Sequence, residues 1–269
     1  MDLKQEQFAP NGSIFDTHAH YDDIQFDGCR EDLLSDLSKH GVGCIINNAT
    51  DLFESSEKCL EISEKFPFCY TAVGVHPEFV ETKGIAVDEV RLRQLAQNEC
   101  VVAIGEIGLD YHYSADRKDL QIAVFRRQCE LANELGLPVI VHDREAHGDT
   151  LDVLREVKPK GSLHCFSGSC EMAQELVKMG FYIGVGGVVT FKNARKSVET
   201  VEAIPLERIL LETDAPYLSP VPYRGNICHS AYTYYTALRI AEIKGIAVDE
   251  VLSTTYQNAL NLFNKVKRG

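Results

Sequence analysis

His18 and His20 stand one residue apart near the start of the chain. In an extended segment, residues i and i+2 point the same way, so both imidazoles can reach a single ion. Imidazole is a preferred ligand for Zn²⁺ and similar ions. His76, Glu106, His142, His164 and Asp214 follow further along. One catalytic ion takes about three protein ligands and keeps a position open for water. His18, His20, His142, His164, Glu106 and Asp214 together exceed that need. Two ions sharing a bridging carboxylate would employ all six, and Glu106, on a central strand, is the natural bridge. Ions roughly 3.5–4 Å apart can activate water near neutral pH and clamp an ester or phosphoryl oxygen.

Such widely separated residues need a scaffold that gathers them. Short, near-continuously apolar runs recur at Ser13–Asp16, Gly43–Asn47, Cys69–Val75, Val101–Glu106, Pro138–Val141, Ser162–Phe166, Phe181–Val185 and Arg208–Glu212. Uninterrupted runs of this kind suit parallel strands covered on both faces. Amphipathic segments separate them. Arg117–Leu135 places Leu120, Val124, Leu131 and Leu135 on one stripe and stops at Gly136. Met172, Leu176 and Met179 repeat the pattern before Gly180. Glu54–Lys65 and Asp88–Gln97 read as helices, the latter with Asp88 as a good N-cap type. Ala231–Lys244 and Val248–Phe263 read as the last two. Eight strands alternating with helices predict a (β/α)8 barrel as one domain over residues 1–269, with an open doubly wound sheet as the alternative. The candidate ligands then fall at strand ends. His18 and His20 follow strand 1, His76 strand 3 and Asp214 strand 8. Glu106 ends strand 4, His142 strand 5 and His164 strand 6. In a barrel these ends share one face, where active sites are built.

Composition narrows the function classes. The chain is 45% hydrophobic and 25% charged, an ordinary globular balance. No apolar run reaches the roughly 20 residues that span a bilayer. Residues 1–10 do not resemble an export signal, so a cytoplasmic protein is expected. Nine cysteines without a C-x-x-C pair read as reduced, buried thiols, Cys44, Cys69 and Cys165 lying in strand-like runs. The net charge of −13 argues against broad nucleic-acid binding. A polyanionic substrate would have to be held locally, by metal ions and a few Arg and Lys, at an end or a short single strand.

The motifs D-T-H-A-H (residues 16–20), G-V-H-P (74–77), G-E-I-G-L-D (105–110), H-D-R (142–144), H-C-F-S-G (164–168) and L-E-T-D-A-P (211–216) stand in the order and spacing of the TatD family. That family belongs to the amidohydrolase-like metal-dependent hydrolases, and the resemblance spans nearly the whole chain, down to the closing N-A-L-N-L-F (258–263). It implies a (β/α)8 barrel with a one- or two-metal site and deoxyribonuclease activity. Carried over by position, His18, His20 and Asp214 would hold one ion. His142 and His164 would hold the second, with Glu106 bridging and His76 near the substrate phosphate. The segment Tyr223–His229 keeps the Arg-Gly of the family pattern but loses its later Asn and Glu, which puts the rim contacts of that loop in doubt.

The residues support a metal-assisted hydrolysis of a phosphodiester with two divalent ions (Zn²⁺, Mg²⁺ or Mn²⁺), and the resemblance implies DNA, trimmed at its ends, as the substrate. Asp214 would accept a proton from the attacking water. His76 would donate to the phosphate, and Arg144 and, more weakly, Arg224 would pair with it. A Glu bridge is charged without modification, so metal loading should not need bicarbonate. His40, His112, His147 and His229 read as structural or surface groups. Gly184-Val185-Gly186-Gly187 lacks the lysine of a phosphate loop and reads as a tight end to strand 7. Two alternatives remain open: hydrolysis of an amide, a lactone or an aminoacyl ester at the same site, and a metal-binding scaffold without catalysis.

Overall fold

The computed structural model describes residues 9–10, 12–83, 87–114 and 117–267. Residues 1–8, which carry most of the segment read for an export signal, lie outside these. Eight strands form one parallel sheet in chain order: β1 (Ile14–Ala19), β2 (Val42–Asn48), β3 (Cys69–Val73), β4 (Val101–Asp110), β5 (Val139–Arg144), β6 (Gly161–Leu163), β7 (Tyr182–Val185) and β8 (Ile209–Leu211). A parallel bridge between Ala19 and Ala215 brings the two edges together, reinforced by His20 N donating to Ala215 O at 2.7 Å. The sheet is thus a nearly closed barrel. The helices are α1 (Arg30–Leu37), α2 (Glu54–Lys65), α3 (Pro77–Lys83), α4 (Glu89–Ala96), α5 (Tyr111–Ser114), α6 (Lys118–Leu135), α7 (His147–Val157), α8 (Cys170–Lys178), α9 (Arg195–Ala203), α10 (Thr233–Lys244) and α11 (Val248–Leu262). Among the described residues, no helix is long and apolar enough to cross a membrane.

Local chemistry sets the helix boundaries. Asp88 caps α4 by accepting the Arg91 N–H at 2.9 Å, and Ser169 caps α8 by accepting that of Met172 at 3.3 Å. Gly136 ends α6 in the left-handed region, φ 68°. Phe15, Ile46, Ala72, Val102, Ile140 and Leu210 come from six different strands yet pack in one cluster, which only a barrel interior permits. Leu262 and Phe263, at the end of α11, join that cluster from below and seal the end opposite the site.

The strand boundaries correct the sequence expectation where the ladder meets the rim. β4 continues past Glu106 to Asp110, and β5 past Val141 to Arg144. The two extend together through Gly108↔His142, Leu109↔Asp143 and Asp110↔Arg144. Glu106 therefore does not end its strand; Asp110 does. His18 and His142 likewise lie inside strands. Polar side chains at the rim hid this continuation, because an apolar run marks burial rather than backbone pairing. β6 and β8 stop early for the opposite reason. The chain leaves the ladder to turn side chains inward, with Cys165 at φ 43° and Asp214 at φ 65°. Cys165 is therefore outside any strand. All nine cysteines are free, but Cys29, Cys100, Cys165 and Cys170 are only partly buried.

Candidate metal centre

β1 carries His18 within the strand, and His20 follows its last residue. β4 supplies Glu106 at a register irregularity between Ile104 and Ile107, the kind of local kink that re-aims a side chain. β5 supplies His142, and His164 and Asp214 come from the turns after β6 and β8. His18 and Glu106 are fully or almost fully buried; Asp214 is the most open, at 18% side-chain exposure.

The carboxylate of Glu106 divides the cluster in two. Its Oε2 lies 3.4 Å from both His18 Nε2 and His20 Nε2. These nitrogens are 3.1 Å apart, and Asp214 Oδ1 is 3.8 Å from the first and 3.5 Å from the second. Its Oε1 lies 2.7 Å from His164 Nε2 and 2.8 Å from His142 Nδ1, which are 3.1 Å apart. Donors bound to one tetrahedral ion at about 2.0–2.2 Å stand roughly 3.3–3.6 Å from one another. The first group straddles that spacing, from 3.1 to 3.8 Å, and the second, at 2.7 to 3.1 Å, is tighter and must open slightly to take a divalent ion. The His18 and His164 rings stack at 3.9 Å between centroids, so the two groups are in contact.

Hydrogen bonds behind the cluster select which imidazole nitrogen faces it. His20 Nδ1 donates to the carbonyl of Asn48 at 2.8 Å, which can only accept, so Nε2 presents its lone pair inward. His142 Nε2 donates to Asp110 Oδ2 at 3.0 Å, which leaves Nδ1 for the ion. His76 has the opposite arrangement. Its Nδ1 accepts the Glu78 N–H at 3.2 Å, so Nε2 carries the proton, 3.6 Å from Glu106 Oε1. That tautomer makes His76 a hydrogen-bond donor at the edge of the cluster. Asp16 anchors the first group from beneath, accepting from His18 N at 3.2 Å, Thr213 Oγ1 at 2.7 Å and Ser230 Oγ at 2.6 Å. Glu212 accepts the Cys165 N–H next to His164. It fits only because residue 184 is glycine: a Cβ there would collide with Glu212 Oε2.

The electrostatics follow from burial set against charge. Burial would raise the Glu106 carboxyl, yet His164, His76 and His18 hold it well below its usual range. Asp214 is likewise lowered against burial, by the His20 hydrogen bond and the neighbouring imidazoles. Burial disfavours the charged form of His20, but Asp214 and Glu106 overcome it and lift the ring to about 10. Asp110 and Glu106 lift His142 to about 9 in the same way. Burial dominates at His18 and His76, pushed down to about 4 and about 3. Without an ion, the carboxylates stay ionised and hold protons on His20 and His142.

The remaining sequence candidates stand apart. Arg144 and Arg224 are exposed, the first 4.9 Å over the Tyr113 ring and the second 4.3 Å over that of Phe191. Neither has a carboxylate partner among the described residues, whereas Arg30, Arg91, Arg126 and Arg155 all do. His40 bonds Asp36 O at a helix end, His112 pairs with Glu145, and His147 with Asp143. His229 is buried against the Tyr232 ring. Sequence reasoning missed Asp110, Asp16 and Glu212. Asp110 had a signal: it lies four residues after Glu106, an even spacing that keeps one face of a strand.

Comparison with known proteins agrees with this fold. Residues 15–264 match the family described as TatD related DNase. The uncharacterized metal-dependent hydrolase YabD of Bacillus subtilis is 41% identical over 254 residues, covering 93% of this chain and 98% of that one. YcfH of Escherichia coli, also an uncharacterized metal-dependent hydrolase, is 37% identical over 257 residues, covering 93% and 96%. Among solved structures, the TatD homolog YJJV of Escherichia coli superposes with a TM-score of 0.85 at 32% identity, covering 95% of this chain and 99% of that one.

Proposed function

The chain belongs to the TatD family and is a metal-dependent hydrolase, and we propose that it cleaves DNA phosphodiesters, trimming single-stranded or short ends with two divalent ions. One observation carries the reading: the two oxygens of Glu106 face two separate donor sets. His18, His20 and Asp214 would hold one ion, His142 and His164 the other, and Glu106 both. Mixed imidazole and carboxylate donors suit Zn²⁺ and also admit Mg²⁺ or Mn²⁺. Bound ions would supply a water of lowered pKa and neutralise charge on the phosphoryl group.

The protein's own side chains supply the rest. Asp214 stays ionised and is the most open ligand candidate, so its carboxylate can take the proton of the attacking water. His76 Nε2–H donates to a non-bridging phosphoryl oxygen, the role its tautomer favours. Arg144 and Arg224, without a carboxylate partner among the described residues, would meet the anionic substrate outside. A net charge of −13 limits such binding to this neighbourhood, which favours an end over a long duplex.

The test combines elemental analysis with cleavage of end-labelled single-stranded DNA by the metal-loaded protein. Two ions per chain and stepwise shortening, abolished by a chelator, are the expected result. Hydrolysis of esters or lactones without any DNA cleavage would overturn the phosphodiester reading.

A further inference from the structure

A cavity of about 610 Å³ opens at the end of the barrel opposite the metal cluster. Its walls are the starts of β5, β7 and β8, the turns after α6, α7 and α8, and the end of α11. Strand starts and strand ends lie on opposite faces of a parallel barrel, so this space and the cluster are separate. Three cations line it: Lys158 and Lys160 from the turn after α7, and Arg208 just before β8. No carboxylate does. The chain has 40 acidic residues against 27 Lys and Arg, and Arg126, Arg127 and Arg155 on the adjoining α6 and α7 are all paired with acidic groups. Lys158, Lys160 and Arg208 have no carboxylate partner among the described residues.

Cations at helix ends often serve the last carbonyls. Here those carbonyls are already bonded. Leu137 N donates to Ala132 O at 3.0 Å, Lys158 N to Leu154 O at 2.9 Å, and Asn133 Nδ2 to Val157 O at 3.0 Å. Of the three cations only Arg208 bonds the backbone, its Nη1 donating to Gly180 O at 3.1 Å while the guanidinium lies 5.1 Å from the centre of the Tyr182 ring. These contacts fix the guanidinium plane and leave the Nε and Nη2 edge, which can hold two oxygens of one anion. Lys158 stands in the left-handed region, φ 52°, a conformation that costs a residue with a side chain. Asn261 Oδ1 accepts from Gln257 Nε2 at 2.8 Å, so its NH₂ remains to donate.

The chemistry selects the occupant. Like charges around one concave space repel, and an anion between them relieves this. A carboxylate brings one charge; a phosphomonoester brings close to two at neutral pH. The volume exceeds a bare phosphate, and Leu137, Pro138, Met179 and Leu262 give an apolar floor that an attached organic group can cover. A long polyanion fits poorly. The net charge is −13, and the exposed Glu156 and Glu207 stand beside these cations in sequence. We infer that the cavity binds a small organic phosphate, its phosphoryl group held by Arg208, Lys158 and Lys160 and its organic part resting on the apolar floor. The inference is independent of the reaction at the metal cluster.

The chain has three methionines, so methyl NMR of the ¹³C-labelled protein can follow Met179 in the cavity and the buried Met172, outside it, as a control. The metal-loaded protein is titrated at constant ionic strength with deoxyadenosine monophosphate, glucose phosphate and inorganic phosphate. Met179 should shift saturably with at least one organic phosphate, at about one-tenth of the concentration that inorganic phosphate needs, while Met172 stays still. That ratio corresponds to burying roughly 50–60 Å² of apolar surface. Lys158→Gln and Lys160→Gln together should raise the midpoint severalfold, as should Arg208→Lys, which keeps the charge and loses the fork. Metal content should not change in either variant. Phosphate held at the metal cluster alone would leave Met179 unmoved. An unmoved Met179 with all three anions, or an unchanged midpoint in the double variant, would overturn the site. Equal midpoints for inorganic and organic phosphate would leave a plain anion site and overturn the organic part. A phosphorothioate-linked single strand that moved Met179 at a lower concentration than the small anions would replace the small ligand with a nucleic acid.

Discussion

The floor of the site and its rim are built on different principles. On the floor, Asp16, Asn48, Asp110 and Glu212 each accept a hydrogen bond that fixes a ligand candidate or the backbone beside it. On the rim, Ile24, Phe53, Tyr113, Tyr217, Leu218 and Val221 are exposed and all lie in the connections that follow strands. Arg144 and Arg224 rest there on aromatic rings rather than in ion pairs. The floor commits its hydrogen bonds to pre-organisation, which is what hydrolytic chemistry requires. The rim leaves its cations and rings available, as substrate selection requires. Damage to the floor should therefore act on metal content and rate, and damage to the rim on substrate affinity.

The sharpest way to break this contrast is Glu106→Gln. It preserves shape but removes the one charge shared by both donor sets. Metal contributions of several kcal/mol correspond to about a thousandfold in rate, so cleavage should fall by at least that much and metal content to one ion or none. A variant that keeps two ions and most of its rate would leave Glu106 a structural residue.

Asp110→Ala tests whether the floor extends beyond the ligands. Loss of a group that orients a ligating histidine typically costs about 10–100-fold in metal affinity or activity. The loss should fall on the side of His142 and His164, leaving the ion of the His18–His20 side in place. Competitive metal titration separates the two sites. Asp110→Asn still offers an acceptor and should recover much of the loss. Equal weakening of both sites would mean that the substitution disturbs the end of β4, where Asp110 also holds the N–H of His112.

Most of the floor was legible in the sequence because strand ends gather distant residues, and His18, His20, Glu106, His142, His164 and Asp214 do meet. The supporting residues were less visible. Asp110 shares a strand face with Glu106, but only the observed length of β4 makes that spacing meaningful. Asp16 and Glu212 look like any strand-end carboxylate until the backbone turns at Asp214 and Cys165 are known. The rim was least legible. Nothing in sequence order places Phe191 under Arg224 or Tyr113 under Arg144, since loop conformation fixes those pairings.

Proton release separates floor from rim in another way. His20 and His142, raised to about 10 and about 9, hold protons that an incoming ion must displace. Metal affinity should therefore rise with pH between about 6.5 and 9, by about tenfold per unit for each proton released. Calorimetry in buffers of different ionisation enthalpy counts those protons. The metal-free fold should respond with the opposite sign. The raised pKa values give stability that is full below the unfolded value of about 6.5 and is lost as pH climbs toward 9–10. His18 and His76, lowered to about 4 and about 3, make the same fold lose stability as pH falls below about 6.5. The contribution of these four imidazoles to metal-free stability should therefore peak near pH 6.5, while metal affinity keeps rising. Parallel trends would show that these imidazoles do not face the ions.

The smallest effects belong to Arg144→Ala and Arg224→Ala. Each removes a guanidinium that no carboxylate among the described residues holds, so little folding stability should change. If each engages a phosphate, KM for a DNA end should rise severalfold with kcat nearly constant, since binding is weakened equally in ground and transition states. The dependence of log affinity on log salt should flatten by about one for each phosphate no longer engaged. If both substitutions lowered kcat as strongly as KM rose, the guanidinium groups would act on the reacting phosphate itself, and the division between a catalytic floor and a selecting rim would fail.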